Sequence, residues 1–349
     1  MIRRAAAGAL CIALALILSG FSPAPKRYQA EFFGLFDTVT TLVGYAPDRE
    51  SFLAVAEQTR DLLREYHELY DIYNAYEGLN NLKTLNDSAA IAPVKVDLRI
   101  IDLIEFAREM YGETGGAVNI AMGAVLRIWN EARLRALDNP QDAAVPDLGL
   151  LRRAAEHTDF DDIVVDRENS AVYFADPYLK LDVGAVAKGY AVEQVARRLE
   201  EAGVRNLLIS VGGNVRAIGG KPGGAREIPW NVSVRNPQGG DDVCAVSVFS
   251  SSVVSSGGYL RYYTVGGVKY HHIIAPETLM PARHYLDVTV RCRDSALADA
   301  LSTALFNMPF EKAYEFAVGK QGVEALWVLP DGAVRATPGF YAVETRAAS

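Results

Sequence analysis

Apolar positions change period several times along the chain, and each change predicts an element. Phe32 to Val43 (FFGLFDTVTTLV) is β-branched and aromatic and predicts a strand. From Ser51 to Tyr70 the apolar residues recur at helical spacing, which predicts a long amphipathic helix. Leu98 to Tyr111 repeats the pattern and is expected to stop at Gly112, with Gly115 and Gly116 close behind. Residues 121–134 read as helix and 140–150 as loop. Beyond Ile163 short strands dominate. Ile163–Val165 and Ala171–Phe174 flank a polar turn, as in a hairpin. A helix over Lys188 to Ala202 closes at Gly203. Strands follow at Asn206–Val211, Trp230–Val234, Val243–Phe249, Tyr262–Val265 and Leu286–Arg291. Helices at Ser295–Phe306 and Phe310–Val318 precede strands at Ala325–Val328, Ala333–Ala336 and Tyr341–Val343. Helices first, then mixed strands and helices, indicate an α+β fold with largely antiparallel sheets flanked by helices. The only plausible cut, near 140–150, does not separate independent units, so one domain is expected over 23–349.

The N-terminus reads differently. Met1-Ile2-Arg3-Arg4 is basic, Ala5 to Leu18 is apolar, and Ser19, Gly20, Phe21 and Ser22 follow. This is the layout of a secretory signal over 1–22, with cleavage near Ser22. Phe21 stands where a lipoprotein signal would carry cysteine. An exported location is therefore expected, periplasmic or on the outer face of the cytoplasmic membrane, with any membrane attachment confined to the signal or an anchor. Export permits disulfides, yet Cys244 and Cys292 lie in strand-like runs without metal spacing and read as buried free thiols.

Composition narrows the partners. Lys plus Arg is 35 against 43 Asp plus Glu, a formal charge of −8 over 349 residues. Loss of Arg3 and Arg4 with the signal makes it more negative still. A net-acidic chain without a basic run is a poor nucleic-acid binder. An anionic ligand would need a metal, a few placed cations or backbone amides.

Several stretches could supply them. Gly212-Gly213-Asn214 to Gly219-Gly220-Lys221 fails both the P-loop and the dinucleotide templates, so its glycines read as turn residues. In Leu181-Asp182-Val183-Gly184-Ala185-Val186-Ala187-Lys188 a strand end delivers an acid to a small-residue turn, and a helix opens near Lys188. That suits a pyrophosphate, or else Asp182 is merely a cap. Asp299 and Thr303 stand at i and i+4 of a helix, as two oxygen ligands of Mg²⁺ or as a solvated face. His271 and His272, adjacent in a strand, point to opposite faces. His67, His157 and His284 look isolated.

Together these motifs resemble the ApbE family of FAD:protein FMN transferases. The resemblance runs from about Phe32 to Val343. It is carried by FDTVTT at 36–41, TLN at 84–86, GGAVNIAMGAVLRIWN at 115–130, LDVGAVAKGYAVE at 181–193 and ISVGGNVRAIG at 209–219. It continues through WNVSVRNP at 230–237, SSGGYLRYY at 255–263, HHIIAPETLMP at 271–281 and LADALSTALF at 297–306. It implies an ApbE-like, T-fold-like architecture and Mg²⁺-dependent transfer of the FMN half of FAD to a threonine hydroxyl of an acceptor protein, releasing AMP. It implies metal ligation by the Ala185 carbonyl, Asp299 and Thr303. Flavin-site positions fall on Phe36, Tyr73, Ala117, Val118, Asn119, Asp182, Lys188, His272 and Ile273, with backbone approach at Gly212 and Gly213. Either Asp182 or His272 would take the proton. The implied acceptors are FMN-binding subunits of sodium-pumping NADH:quinone reductases, Rnf-type complexes or extracellular electron-transfer proteins. Gly258 replaces a usual acid or Asn, Ala275 the usual Asp of the HIIDP motif, and Leu279 a common Gly. These departures keep open a non-catalytic FAD-binding protein or an FAD pyrophosphatase. Thr337, after Ala336, superficially resembles an acceptor threonine but reads as a strand residue.

Overall fold

A computed structural model describes residues 24–343 apart from residue 225; the signal expected over 1–22 lies outside the described residues. The chain opens with strands β1 (Lys26–Leu35) and β2 (Thr38–Ala46), helices α1 (Arg49–Tyr70) and α2 (Leu82–Ser88), the short strand β3 (Val94–Lys95) and helices α3 (Leu98–Glu113), α4 (Gly123–Asp138) and α5 (Leu148–Ala155). Strands β4 (Ile163–Asp166) and β5 (Ala171–Phe174) form the expected hairpin, with β3 added to it. Helix α6 (Ala187–Glu201) leads to β6 (Leu207–Val211), β7 (Asn214–Ile218), β8 (Lys221–Gly223), β9 (Arg226–Ile228), β10 (Trp230–Val234), β11 (Cys244–Val248) and β12 (Ser252–Gly257). The rest comprises β13 (Tyr262–Val265), β14 (Val268–His271), β15 (Asp287–Cys292), α7 (Ser295–Asn307), α8 (Phe310–Gly319), β16 (Glu324–Val328) and β17 (Val334–Ala336).

The main sheet has eight strands in the order β1-β2-β6-β7-β12-β15-β16-β17, and every neighbouring pair is antiparallel. Side chains alternate across it. Leu42, Leu207 and Ile209 face α1 and α6, while Val288 and Val290 share a core with α7. On the opposite face the β10–β11 hairpin covers Val253 and Leu326 with Trp230 and Val246. Strand β15 is therefore buried along its whole length. No helix among the described residues is long and apolar enough to cross a membrane.

Several expectations are corrected. The single strand over 32–43 is a hairpin, because Phe36 and Asp37 both take positive φ, 51° and 53°, in a two-residue turn that needs no glycine here. The first helix of the 98–111 pattern runs through Gly112, and the 140–150 loop contains the start of α5. Tyr341–Val343 is not a strand. Cys244 and Cys292 are free thiols as expected, but only Cys292 is buried and Cys244 is half-buried. Thr337 lies just beyond β17, buried, with its hydroxyl donating to Glu324.

A buried ion network sets the geometry of the α6–α7 pair. Glu193 of α6 is 3% exposed and Arg216 of β7 is 5% exposed. Glu193 Oε2 accepts from Arg216 Nε at 3.0 Å and from the Ser295 N–H, at the start of α7, at 2.8 Å. Its other oxygen accepts from Arg197 Nε at 3.0 Å. Burial raises the Glu193 pKa, but the Arg216 charge and these hydrogen bonds outweigh it and leave the carboxyl below its ordinary value. Stability from a depressed carboxyl is fully present above the unfolded glutamate range, about 4.3, and is lost as pH falls through the folded value. Glu193→Gln should cost about 2–4 kcal/mol at pH 7, because buried Arg216 loses its nearer charge partner and keeps only Glu200 at 3.3 Å. The deficit should shrink as pH falls below the glutamate range, as read by urea unfolding.

Candidate functional site

The LDVGAVAK segment is fixed from two sides before it reaches α6. Asn86, the last residue of the TLN motif, accepts from the Leu181 N–H at 2.7 Å and donates to the Leu181 carbonyl at 3.0 Å. The Asp182 N–H donates to the Ile120 carbonyl at 2.8 Å, and the Gly123 N–H to the Lys180 carbonyl at 2.9 Å. A Cβ on Gly123 would run into the Lys180 carbonyl, so only glycine lets α4 start this close. Asp182 does not cap α6. Its Oδ1 accepts from the Gly184 N–H at 2.9 Å in an Asx turn, leaving Oδ2 without a protein partner among the described residues. Burial pushes the Asp182 carboxyl up, opposed by Gly184 and by the Arg261 charge.

Beyond the turn, α6 meets α7. Asp299 is 4% exposed, and its Oδ2 accepts from the Gly189 N–H at 2.8 Å and lies 3.6 Å from Lys188 Nζ. A Cβ on Gly189 would overlap Asp299 and the Ser295 carbonyl, so the glycine permits the helices to touch here. Because the Gly189 N–H turns to Asp299, it does not bond the carbonyl of Ala185 four residues back, whereas the next residue, Tyr190, does bond Val186 in the helical manner. The Ala185 carbonyl is thus unclaimed among the described residues. One turn along α7 from Asp299 stands Thr303, 3.4 Å from the Ser256 hydroxyl, which also pairs with Ser302 at 2.7 Å. A carboxylate, a free carbonyl and a hydroxyl are hard oxygen donors of the kind Mg²⁺ takes, and they leave coordination positions for phosphate oxygens and water. No three His, Cys, Asp or Glu side chains converge on a metal cage among the described residues. The donor set fits Mg²⁺ bound with a phosphate ligand rather than a thiolate or imidazole site.

The other walls come from loops. The Phe36–Asp37 turn is pinned by His67, whose Nδ1 accepts from the Phe36 N–H at 3.2 Å, so that histidine is not isolated. The β6–β7 turn at Gly212 and Gly213, with φ of 54° and 92°, packs so closely on Thr38 that a Cβ at 212 would lie 2.6 Å from its hydroxyl. Tyr73 is held by Asp71, which accepts from the Tyr73 N–H at 2.6 Å and from the Tyr76 hydroxyl at 2.9 Å. Burial raises the Tyr73 pKa, as does the Asp182 charge, while Arg261 opposes them. The Ala117–Asn119 turn is braced by Asn307, which donates to the Ala117 carbonyl at 3.2 Å, and by the Asn119 amide, which donates to Thr158 at 2.9 Å.

His272 closes the set. Its N–H and its Nδ1 both approach the Arg261 carbonyl, at 3.2 and 3.3 Å. A carbonyl only accepts, so Nδ1 carries the proton and Nε2 keeps a free lone pair. The surrounding wall and the Arg261 charge lower the His272 pKa, and solvent at its exposed edge tempers that push. Its neighbour His271 turns the other way, donating through Nε2 to the Ala282 carbonyl at 2.7 Å and accepting the Ile273 N–H at 3.2 Å. Asp182, Tyr73 and His272 all feel the Arg261 charge, and Lys188 acts on His272 and pairs with Asp299, so these groups form one electrostatic neighbourhood. Ser256, Ser302, Asn86 and Arg261 join it without having been singled out. A separate surface cavity of about 340 Å³ beside Tyr190 and Glu105 contains none of these residues.

A family model described as the ApbE family matches residues 36–327. The chain belongs to the ApbE family. Among its relatives, the FAD:protein FMN transferase of Treponema pallidum is 37% identical over 272 residues, covering 74% of this chain and 73% of that protein. The FAD:protein FMN transferase of Rhodobacter capsulatus is 30% identical over 339 residues, covering 94% of this chain and 61% of that one. The crystal structure of the ApbE protein from Thermotoga maritima superposes with a TM-score of 0.80 at 29% identity, covering 92% of this chain and all of that one.

The departures from the ApbE pattern have local explanations. Above Gly258 lies the His271 ring: a Cβ there would sit 2.5 and 2.7 Å from Cδ2 and Cγ, leaving no space for the usual acid or Asn. The ring is itself braced edge-on by Phe306 at 5.6 Å. The turn without the usual Asp at 275 is closed by backbone alone, Ala275 N–H to Met280 at 2.9 Å and Leu279 N–H to Ala275 at 2.8 Å. Leu279 pays for the missing glycine with a φ of 60°, and its carbonyl is anchored by Trp129 Nε1 at 2.9 Å. Gly258→Asp should destabilise the fold by about 1–3 kcal/mol through overpacking. His271→Ala in the same chain should recover most of that loss in urea unfolding.

Proposed function

We propose that this ApbE-family protein is an exported, Mg²⁺-dependent transferase that moves the FMN half of FAD onto a threonine hydroxyl of an acceptor protein. The observation that carries the reading is the diversion of the Gly189 N–H to Asp299. It frees the Ala185 carbonyl beside a buried carboxylate and the Thr303 hydroxyl, a donor set for a metal that binds phosphate. Ala185, Asp299 and Thr303 would hold Mg²⁺, which when bound neutralises charge on the pyrophosphate and on the departing AMP. Lys188, Asp182 and the Gly212–Gly213 turn line the same cleft, while Phe36, Tyr73, Ala117–Asn119 and Ile273 shape its flavin side.

Chemically the reaction exchanges one phosphorus–oxygen bond for another. The threonine oxygen attacks the FMN-side phosphorus, the bridging oxygen leaves with AMP, and the threonine proton needs a base. His272 Nε2 is the better-formed base, since its other nitrogen is already committed as a donor. Asp182 then orients the substrate. The His271 ring over Gly258 shows that the departure there is filled space and not an empty subsite, which weakens the reading of a non-catalytic FAD holder.

Acceptors of the kinds found in sodium-pumping NADH:quinone reductases, Rnf-type complexes and extracellular electron transfer fit an exported enzyme. Labelling should fail on an acceptor whose threonine is replaced by valine and should stop with EDTA. Cell fractionation should place the chain outside the cytoplasm; a wholly cytoplasmic pool would overturn the location.

A further inference from the structure

Two cations flank His272, and they are not equivalent. Lys188 is committed to Asp299 at 3.6 Å. Arg261 has no carboxylate partner among the described residues, although the chain carries more acids than bases. Its backbone is rigidly placed. The Arg261 carbonyl receives both the His272 N–H and its ring Nδ1, and the next residues enter β13, where Tyr263 is buried and its hydroxyl donates to Ala144 at 3.1 Å. Tyr263 and Tyr270 then pack against Trp129 of α4. From this base the guanidinium charge acts on Asp182, Tyr73 and His272, three groups contributed by separate parts of the chain. An always-charged fork with no carboxylate partner among the described residues, on a backbone hydrogen-bonded to His272, is suited to phosphate oxygens.

We propose that Arg261 is a second anion-binding residue of the cleft and holds pyrophosphate oxygens of FAD together with Lys188. The inference rests on the reading of FAD as substrate. It also answers how an acidic protein accepts this ligand: no acid among the described residues pairs with this arginine, which leaves it for substrate.

The test is equilibrium binding of FAD, ADP and riboflavin, each to the purified wild-type chain, Arg261→Gln and Arg261→Lys, with thermal unfolding as the check on folding. Arg261→Gln should weaken FAD and ADP by about ten- to a hundredfold, the range of a lost charge-assisted hydrogen-bond pair, and leave riboflavin unchanged. Arg261→Lys should recover part of the loss. In transfer assays the defect should fall on KM more than on kcat. Equal FAD binding by wild type and Arg261→Gln overturns the role of Arg261 while leaving the functional reading intact, as does an equal loss for riboflavin. A folded wild-type chain that binds no FAD overturns the functional reading and this assignment with it.

Discussion

Asp299→Asn is expected to reduce FMN transfer by about 10²–10³-fold or more, the scale of losing one electrostatic stabiliser of a phosphoryl-transfer transition state. Asparagine keeps an oxygen for the Gly189 N–H, so the α6–α7 contact should survive and thermal unfolding should change little. What is lost is the negative charge in a buried position beside the free Ala185 carbonyl and Thr303. EDTA should reduce the wild type to the level of the variant and have little further effect on the variant itself. A variant retaining transfer within tenfold of wild type would place the metal elsewhere.

His272→Gln should cost about 10²–10⁴-fold, the range for a general base, with FAD binding largely kept. The pH profile carries the sharper signature. Burial and the Arg261 charge hold the His272 imidazole below its ordinary value of 6.5, so its basic form persists as pH falls through that value. Wild-type transfer should therefore stay high on the acid side of 6.5, and the remaining activity of His272→Gln should lose the corresponding acidic limb. An unchanged limb in that variant, together with its loss in Asp182→Asn, would assign the proton to Asp182. That carboxyl is raised by burial, so its basic form is lost at a higher pH than an ordinary aspartate's.

Periodicity made the helices legible, and through them the Asp299–Thr303 side of the candidate site. Asp299 and Thr303 share a face because they are four apart on α7, and Lys188 belongs to the first turn of α6. Periodicity could not show that the two helices touch at Gly189, since that contact spans 110 residues and depends on a missing Cβ. Strands β7 and β12 escaped for a related reason. Their buried positions include Asn214, Arg216 and Ser252, polar residues whose presence in a core makes sense only beside partners such as Glu193 and Ser295. The Phe36–Asp37 turn was hidden because its residues are not the glycine or asparagine that usually take positive φ. The clearest loss was at His271, where the ring fills the space over Gly258, a fit visible only in three dimensions.

The central claim is that the cleft transfers FMN to protein and does not merely hold or hydrolyse FAD. Purified chain, FAD, Mg²⁺ and a threonine-bearing acceptor domain should yield acceptor carrying one covalent FMN and an equimolar amount of AMP, measured by intact mass and chromatography on the same samples. AMP appearing with free FMN and unlabelled acceptor, or FAD remaining bound and uncleaved, would contradict it.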